Sequence, residues 1–148
     1  MASQEAEILL EKYEELFLPF TAAEKPAADY RIGPEMEKFG VLPDGTPIGY
    51  DGKAGVSRFM EMLKATHGWT PDSEYPGGPT LALLRSGASI TLEPGSQFEL
   101  SGAAHADVHA ILAEANEHHA EIASLSKELS VRWLGVGFHP FARRADYT

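Results

Sequence analysis

The longest amphipathic segment of the sequence, residues 103–129, constrains the fold more than any other feature. Its apolar residues recur at steps of three and four, at Val108, Ile111, Leu112, Ala115, Ile122, Leu125 and Leu129. This spacing predicts one long helix with an apolar stripe along one side. Because such a stripe must be buried against another layer, the rest of the chain has to supply a sheet or further helices that pack on it.

Two further helices are predicted upstream. Residues 3–17 combine acidic side chains with apolar residues at helical spacing, and Pro19 is expected to end this helix. Residues 53–67 repeat the helical spacing. Residues 21–29 form a connector between them, and the Pro- and Gly-rich residues 68–79 are expected to form a loop without regular structure.

Short extended runs separated by turn residues predict an antiparallel sheet. These runs are residues 30–42, 80–84, 88–92, 96–100 and 131–138. We therefore predict a single α+β domain over residues 1–148, in which residues 1–29 are an amino-terminal helix and connector. The helices are expected to pack on one face of the sheet, which leaves the other face open.

The charge balance and the missing cysteines exclude several classes of function. The chain has 12 Lys and Arg against 22 Asp and Glu, so a nucleic-acid backbone would be repelled. It has no cysteine, which excludes disulfides and thiolate zinc sites. No segment approaches the ~20 apolar residues that a membrane-spanning helix needs. The acidic amino terminus is unlike a signal peptide and predicts a cytoplasmic location.

Acidic residues cluster in two of the predicted strands. Glu35 and Glu37 are two residues apart in an extended run, so their side chains leave the same face, where a solvated surface pair is the favoured interpretation. Glu93 precedes a Pro-Gly bend, and Gln97 and Glu99 share one face of the next strand. Since apolar residues flank these last carboxylates, we expect them near the edge of the core. A divalent cation would relieve their repulsion there.

Histidine and tryptophan give weaker signals. His105 and His109 are four apart in the long predicted helix, a spacing at which two imidazoles can share a metal ion. Without a third ligand we prefer solvated side chains, or a contact with the sheet for His109 and His118. Trp69 and Trp133 are predicted to lie in the core, because each adjoins apolar neighbours at the end of a predicted element.

The acidic segments also carry a family resemblance. Three segments, RIGPEMEKFG (31–40), SITLEPGSQFELSGA (89–103) and WLGVGFHP (133–140), resemble the amino-terminal part of the glutamate-cysteine ligases of plants and many bacteria. The resemblance extends over roughly residues 30–142. It implies part of a glutamine-synthetase-like fold, and ATP-dependent formation of γ-glutamylcysteine through γ-glutamyl phosphate.

The same resemblance implies roles for individual residues. Glu35 and Glu37 match the E-x-E of the family's first strand, and Glu93 and Glu99 match the acids of its second motif. These four would hold Mg²⁺ at the phosphates of ATP. Gln97 matches the second motif as well and would face the same cavity as a substrate-binding residue. The implied small-molecule partners are ATP, glutamate and cysteine.

The chain departs from the family at three motif positions and in length. Met36, Ser96 and His139 stand where His, Gly and Gln are usual, and none of them is a proposed ligand. The family continues for more than this chain's own length. We therefore expect a fragment or reduced homologue that is inactive alone and that self-associates or needs a complementing chain. Two alternatives stay open: a carboxylate-amine ligase with another amine acceptor, and a non-catalytic binding or assembly module.

Overall fold

The computed structural model describes residues 10–73, 75 and 77–147. The chain divides into two compact units, Met1–Tyr30 and Arg31–Thr148. The boundary falls one residue beyond the predicted end of the connector. The described part of the first unit contains a 3₁₀ helix at Tyr13–Phe17, helix α1 at Leu18–Ala22 and a 3₁₀ turn at Ala27–Asp29.

The helix predicted over residues 3–17 lies partly outside the described residues. Its described end is a 3₁₀ helix, and α-helix begins only at Leu18. The prediction that Pro19 ends the helix is wrong, because Pro19 lies in the first turn of α1. The amide hydrogen that proline lacks would have no partner within the helix at this position, so proline is tolerated there.

The second unit is built on a six-stranded antiparallel sheet. Its strands are β1 (Glu35–Val41), β2 (Thr70–Asp72), β3 (Ala82–Arg85), β4 (Ala88–Glu93), β5 (Gln97–Ser101) and β6 (Arg132–Leu134). They are arranged in the order β2-β3-β4-β5-β1-β6, and all pairs are antiparallel. The α+β class and the antiparallel sheet are therefore confirmed.

The strands differ most from the sequence prediction at β1, β2 and β6. Strand β1 begins at Glu35, directly after Pro34, which has no amide hydrogen to donate to a ladder. Strand β2 lies within the segment expected to lack regular structure, where Pro71 is tolerated because β2 is an edge strand. Strand β6 ends at Leu134, because the backbone N–H of Val136 donates to the Leu134 carbonyl and the chain turns out of the sheet.

Two helices complete the second unit, α2 (Val56–Thr66) and α3 (Val108–Leu129). Helix α3 begins at Val108 because the Asp107 carboxylate accepts hydrogen bonds from the backbone N–H groups of His109 (2.9 Å) and Ala110 (3.0 Å). His105 therefore precedes the helix, and its side chain contacts Glu114 instead. The helical spacing invoked for a metal shared by His105 and His109 is not present.

The core lies between these two helices and one face of the sheet. It contains Val56, Phe59, Met60 and Leu63 from α2, Ile122 and Leu125 from α3, and Leu83, Ile90, Phe98 and Leu100 from the strands. Trp69 is buried in this core and Trp133 packs against it, as predicted. Because side chains alternate along a strand, the residues between the buried strand positions face away from the helices. Within the described residues, no helix is long and apolar enough to cross a membrane.

Candidate functional site

The strand register places all five predicted site residues on the sheet face opposite the helices, which we call the acidic face. Its polar residues are Ser89, Thr91 and Glu93 from β4, Gln97, Glu99 and Ser101 from β5, and Glu35 and Glu37 from β1. The pairing puts Glu37 directly opposite Glu99, and Glu93 directly opposite Gln97. The two sequence motifs, which are separated by 48 residues, thus meet on neighbouring strands.

Glu37 and Glu99 form the centre of the acidic face. Residues directly opposite on antiparallel strands have Cβ atoms about 5 Å apart, so the two carboxylates are close neighbours. Gln97 Nε2 donates to Glu37 Oε2 at 3.3 Å, and Ser101 Oγ donates to Glu99 Oε1 at 3.0 Å. Glu99 is only 8% exposed, whereas Glu37 is exposed. The pair is therefore held by neutral donors and is partly shielded from water.

Glu35 and Glu93 flank this pair. Glu35 lies two residues before Glu37 on β1, and Glu93 lies diagonally across from Glu99. Among the residues that the structure describes, no three His, Asp or Glu side chains converge closely enough to hold a metal ion as they stand. The predicted ligands form a row and not a closed cage.

The donor chemistry of the acidic face fits magnesium. The face offers carboxylate, amide and hydroxyl oxygens, which are the ligands that hard divalent cations prefer. Mg²⁺ is usually held by one or two carboxylates together with phosphate oxygens and waters, so a pair of carboxylates is sufficient. None of the ion pairs within the described part of the chain involves the four acids. A cation at Glu37 and Glu99 would therefore compete with no salt bridge described there.

Lys38 lies on the helix side of the sheet, behind this pair. Its ammonium is buried, donates to His118 Nε2 at 2.9 Å and to the Met36 carbonyl at 3.3 Å, and lies 5.4 Å from the centre of the Phe98 ring. Burial lowers the pKa of Lys38 to about 8, and the negative charge of Glu99 partly offsets this effect. Lys38 is thus a positive charge directly beneath the acidic face.

His118 is the acceptor for Lys38. The side chain is 1% exposed, and burial lowers its pKa from 6.5 to about 3, with the charge of Lys38 adding to the effect. The ring is therefore neutral at physiological pH, and its Nδ1 has no hydrogen-bond partner among the described residues. The predicted contact of His118 with the sheet is confirmed. The side chain of His109, by contrast, is exposed.

A partly buried ion pair joins the end of β3 to α3. Arg85 Nη1 donates to Glu121 Oε1 at 2.6 Å, Trp69 Nε1 donates to Glu121 Oε2 at 3.1 Å, and the guanidinium lies 4.2 Å from the centre of the Trp69 ring. Like Lys38, Arg85 lies on the helix side of the sheet. Lys38 and Arg85 are therefore both behind the acidic face. Sequence reasoning missed the Lys38–His118 hydrogen bond and the Arg85–Glu121 ion pair because their partners lie on α3, far along the chain.

Comparison with known proteins identifies relatives of this chain. The model of glutamate-cysteine ligase family 2 (GCS2) matches residues 31–148. A chloroplastic glutamate-cysteine ligase of Arabidopsis thaliana is 34% identical over 134 residues, which is 90% of this chain and 25% of the relative. Glutamate-cysteine ligase B of Oryza sativa subsp. japonica is 35% identical over 86% of this chain and 25% of the relative.

The relatives are much longer than this chain, and their names correct the prediction of its location in the cell. The chain spans about a quarter of the length of these relatives. A third relative, from Medicago truncatula, is 36% identical over 79% of the chain. All three are named as chloroplastic enzymes, so the prediction of a cytoplasmic location is wrong by this comparison.

Proposed function

Since the chain belongs to the glutamate-cysteine ligase family, we propose that it is the amino-terminal, magnesium-binding part of an ATP-dependent glutamate-cysteine ligase. The observation that carries this proposal is the direct opposition of Glu37 and Glu99 on the acidic face of the sheet. Two carboxylates at this distance repel each other unless a cation lies between them. The proposed substrates are ATP, glutamate and cysteine, and the proposed fold is part of a glutamine-synthetase-like domain.

Each polar residue of the acidic face has a role in this proposal. Glu37 and Glu99 hold the cation, with Glu35 and Glu93 as flanking carboxylates. Gln97 and Ser101 orient the two central carboxylates through the hydrogen bonds that they donate. When bound, Mg²⁺ neutralises charge on the phosphate oxygens of ATP. Glutamate would then accept the γ-phosphoryl group on its side-chain carboxylate, and the amine of cysteine would displace phosphate from the resulting acyl phosphate.

The test of this proposal is an assay for ADP release that depends on cysteine. The purified chain with ATP, glutamate, cysteine and Mg²⁺ is expected to show no turnover, because it spans only a quarter of its relatives. Adding the remaining part of the Arabidopsis relative in trans should restore turnover, and Glu37→Gln in this chain should abolish it again. Turnover by the isolated chain that Glu37→Gln abolishes would instead establish a minimal ligase.

One observation favours a second function, as an assembly module without its own catalysis. Val108 and Leu112 are 63% and 57% exposed, and they lie four residues apart on the same side of α3. We infer that these two exposed apolar side chains contact another chain. Sedimentation at high protein concentration should then show self-association that Leu112→Lys abolishes, whereas a strict monomer would exclude self-association through this face.

A further inference from the structure

A cavity beside the acidic face is formed by the segment that follows β6. Gln97 Nε2 donates to the Val136 carbonyl at 3.4 Å, and the His139 ring contacts the Phe39 ring edge-to-face at 5.3 Å. Because Gln97 lies on the acidic face and contacts Glu37 as well, the cavity and the Glu37–Glu99 pair share this residue. The segment after β6 is therefore packed against this side of the sheet.

The His139 side chain stabilises the turn that follows it. Its Nδ1 atom accepts hydrogen bonds from the backbone N–H groups of Phe141 (3.1 Å) and Ala142 (3.0 Å). After this turn, Arg143 and Arg144 line the cavity. The two arginines are thus positioned by a hydrogen-bonded turn, although the sequence places them close to the end of the chain.

The cavity has a volume of about 470 Å³ and an unusual charge for this protein. Its walls include Phe39, Gln97, the Pro94-Gly95 turn, Arg143 and Arg144. Of the described residues that line it, none carries a negative charge, although the chain as a whole has a net charge of -10. The neighbouring carboxylate of Asp146 accepts a hydrogen bond from the backbone N–H of Arg143. The described wall of the cavity therefore carries the positive charge of two arginines, and the Glu37 carboxylate lies next to it on Gln97.

We propose that Arg143 and Arg144 form a polyphosphate-binding subsite next to the Glu37–Glu99 pair. This inference rests on the proposed function. It identifies cationic groups that would bind phosphate, which the acidic face itself lacks. Guanidinium groups donate pairs of hydrogen bonds to phosphate oxygens, and their positive charge stabilises a phosphate chain. A polyphosphate bound here would keep part of its oxygens on the arginines and direct the others toward a cation held by Glu37 and Glu99. Gln97 joins the two halves of the site.

The experiment is a calorimetric titration of the full chain with sodium tripolyphosphate, with and without Mg²⁺. The Arg143→Gln/Arg144→Gln variant should bind tripolyphosphate at least tenfold more weakly than the unsubstituted chain. The matched control is Lys53→Gln/Arg58→Gln, which removes the same charge from exposed positions elsewhere and should bind as the unsubstituted chain does. Circular dichroism of each variant verifies folding.

The outcomes separate this inference from the proposed function. Equal affinity of the arginine variant and the unsubstituted chain, or an equal loss in the control variant, overturns the inference. A titration with Mg²⁺ alone tests the carboxylates independently, because the arginine variant retains Glu37 and Glu99. Arginine-dependent tripolyphosphate binding without any Mg²⁺ binding would support the subsite and contradict the proposed magnesium site.

Discussion

Glu37 and Glu99 lie directly opposite each other on β1 and β5, and one of these carboxylates is almost completely buried. Like charges in this position destabilise a sheet unless another charge compensates them. The hydrogen bonds from Gln97 and Ser101 hold the carboxylates in place but do not neutralise them. Lys38 supplies a positive charge from behind the sheet. A divalent cation on the open side would supply the remaining compensation.

The buried His118 makes the fold sensitive to acid. Its pKa is 6.5 in an exposed setting and about 3 in the folded protein, so between these values the unfolded chain binds the additional proton. The contribution of neutral His118 to the free energy of unfolding is complete above pH 6.5. It is lost as the pH falls toward 3, by at most about 1.4 kcal/mol per pH unit. Urea unfolding from pH 7 to pH 4 should show this slope, and His118→Gln should reduce it. An equal slope in His118→Gln would contradict this prediction, and the exposed His109→Gln serves as the control.

The Arg85–Glu121 pair should be important for stability. Glu121 is 6% exposed, and Arg85→Met would leave its carboxylate buried with the Trp69 N–H as a donor and His67 Nδ1 at 3.7 Å. Removal of one partner from a buried ion pair costs about 3 kcal/mol in the free energy of unfolding. Urea denaturation at pH 7 measures this loss. Arg58→Met, at an exposed position of α2, should change the free energy of unfolding little, and equal effects of both substitutions would refute the assignment.

Close packing at Gly40 should make this position intolerant of a side chain. A Cβ atom here would lie 2.7 Å from Ile48 Cγ1 and 3.3 Å from Val131 Cγ1, and both neighbours are buried. Overpacking of this kind costs about 2 kcal/mol, so Gly40→Ala should lower the urea midpoint. Gly49 has no heavy atom within 4 Å of the equivalent Cβ position. Gly49→Ala is therefore the control. Equal stability of both variants would contradict the prediction, because it would show that Ile48 and Val131 move aside at little cost in free energy.

The sequence predicts the composition of the acidic face better than its geometry. The alternation of side chains in a strand correctly puts Glu35 with Glu37, and Gln97 with Glu99, on shared faces. It cannot predict that Glu37 opposes Glu99, because that depends on the register between strands distant in sequence. The same holds for the Lys38–His118 contact, which joins residues eighty positions apart.

The errors at the element boundaries have local or tertiary causes. Proline ends a helix when it lies in the helix interior, but it is favourable in the first turn. The sequence pattern alone did not show which of these positions Pro19 takes. Strand β2 forms in a Pro- and Gly-rich segment because β3 provides a partner, so tertiary pairing outweighs local propensity there. Asp107 shows the opposite case, since its capping hydrogen bonds fix the start of α3 locally.

The most direct measurement is the binding of Mn²⁺, as a paramagnetic substitute for Mg²⁺, followed through the relaxation of water protons. The unsubstituted chain should bind the ion, and both Glu99→Gln and Glu37→Gln should weaken binding by about tenfold or more, since each removes one of two charged ligands. Glu128→Gln, on the exposed side of α3, should leave the affinity unchanged. Equal affinity of Glu99→Gln, Glu37→Gln and the unsubstituted chain would contradict a cation site between the two strands.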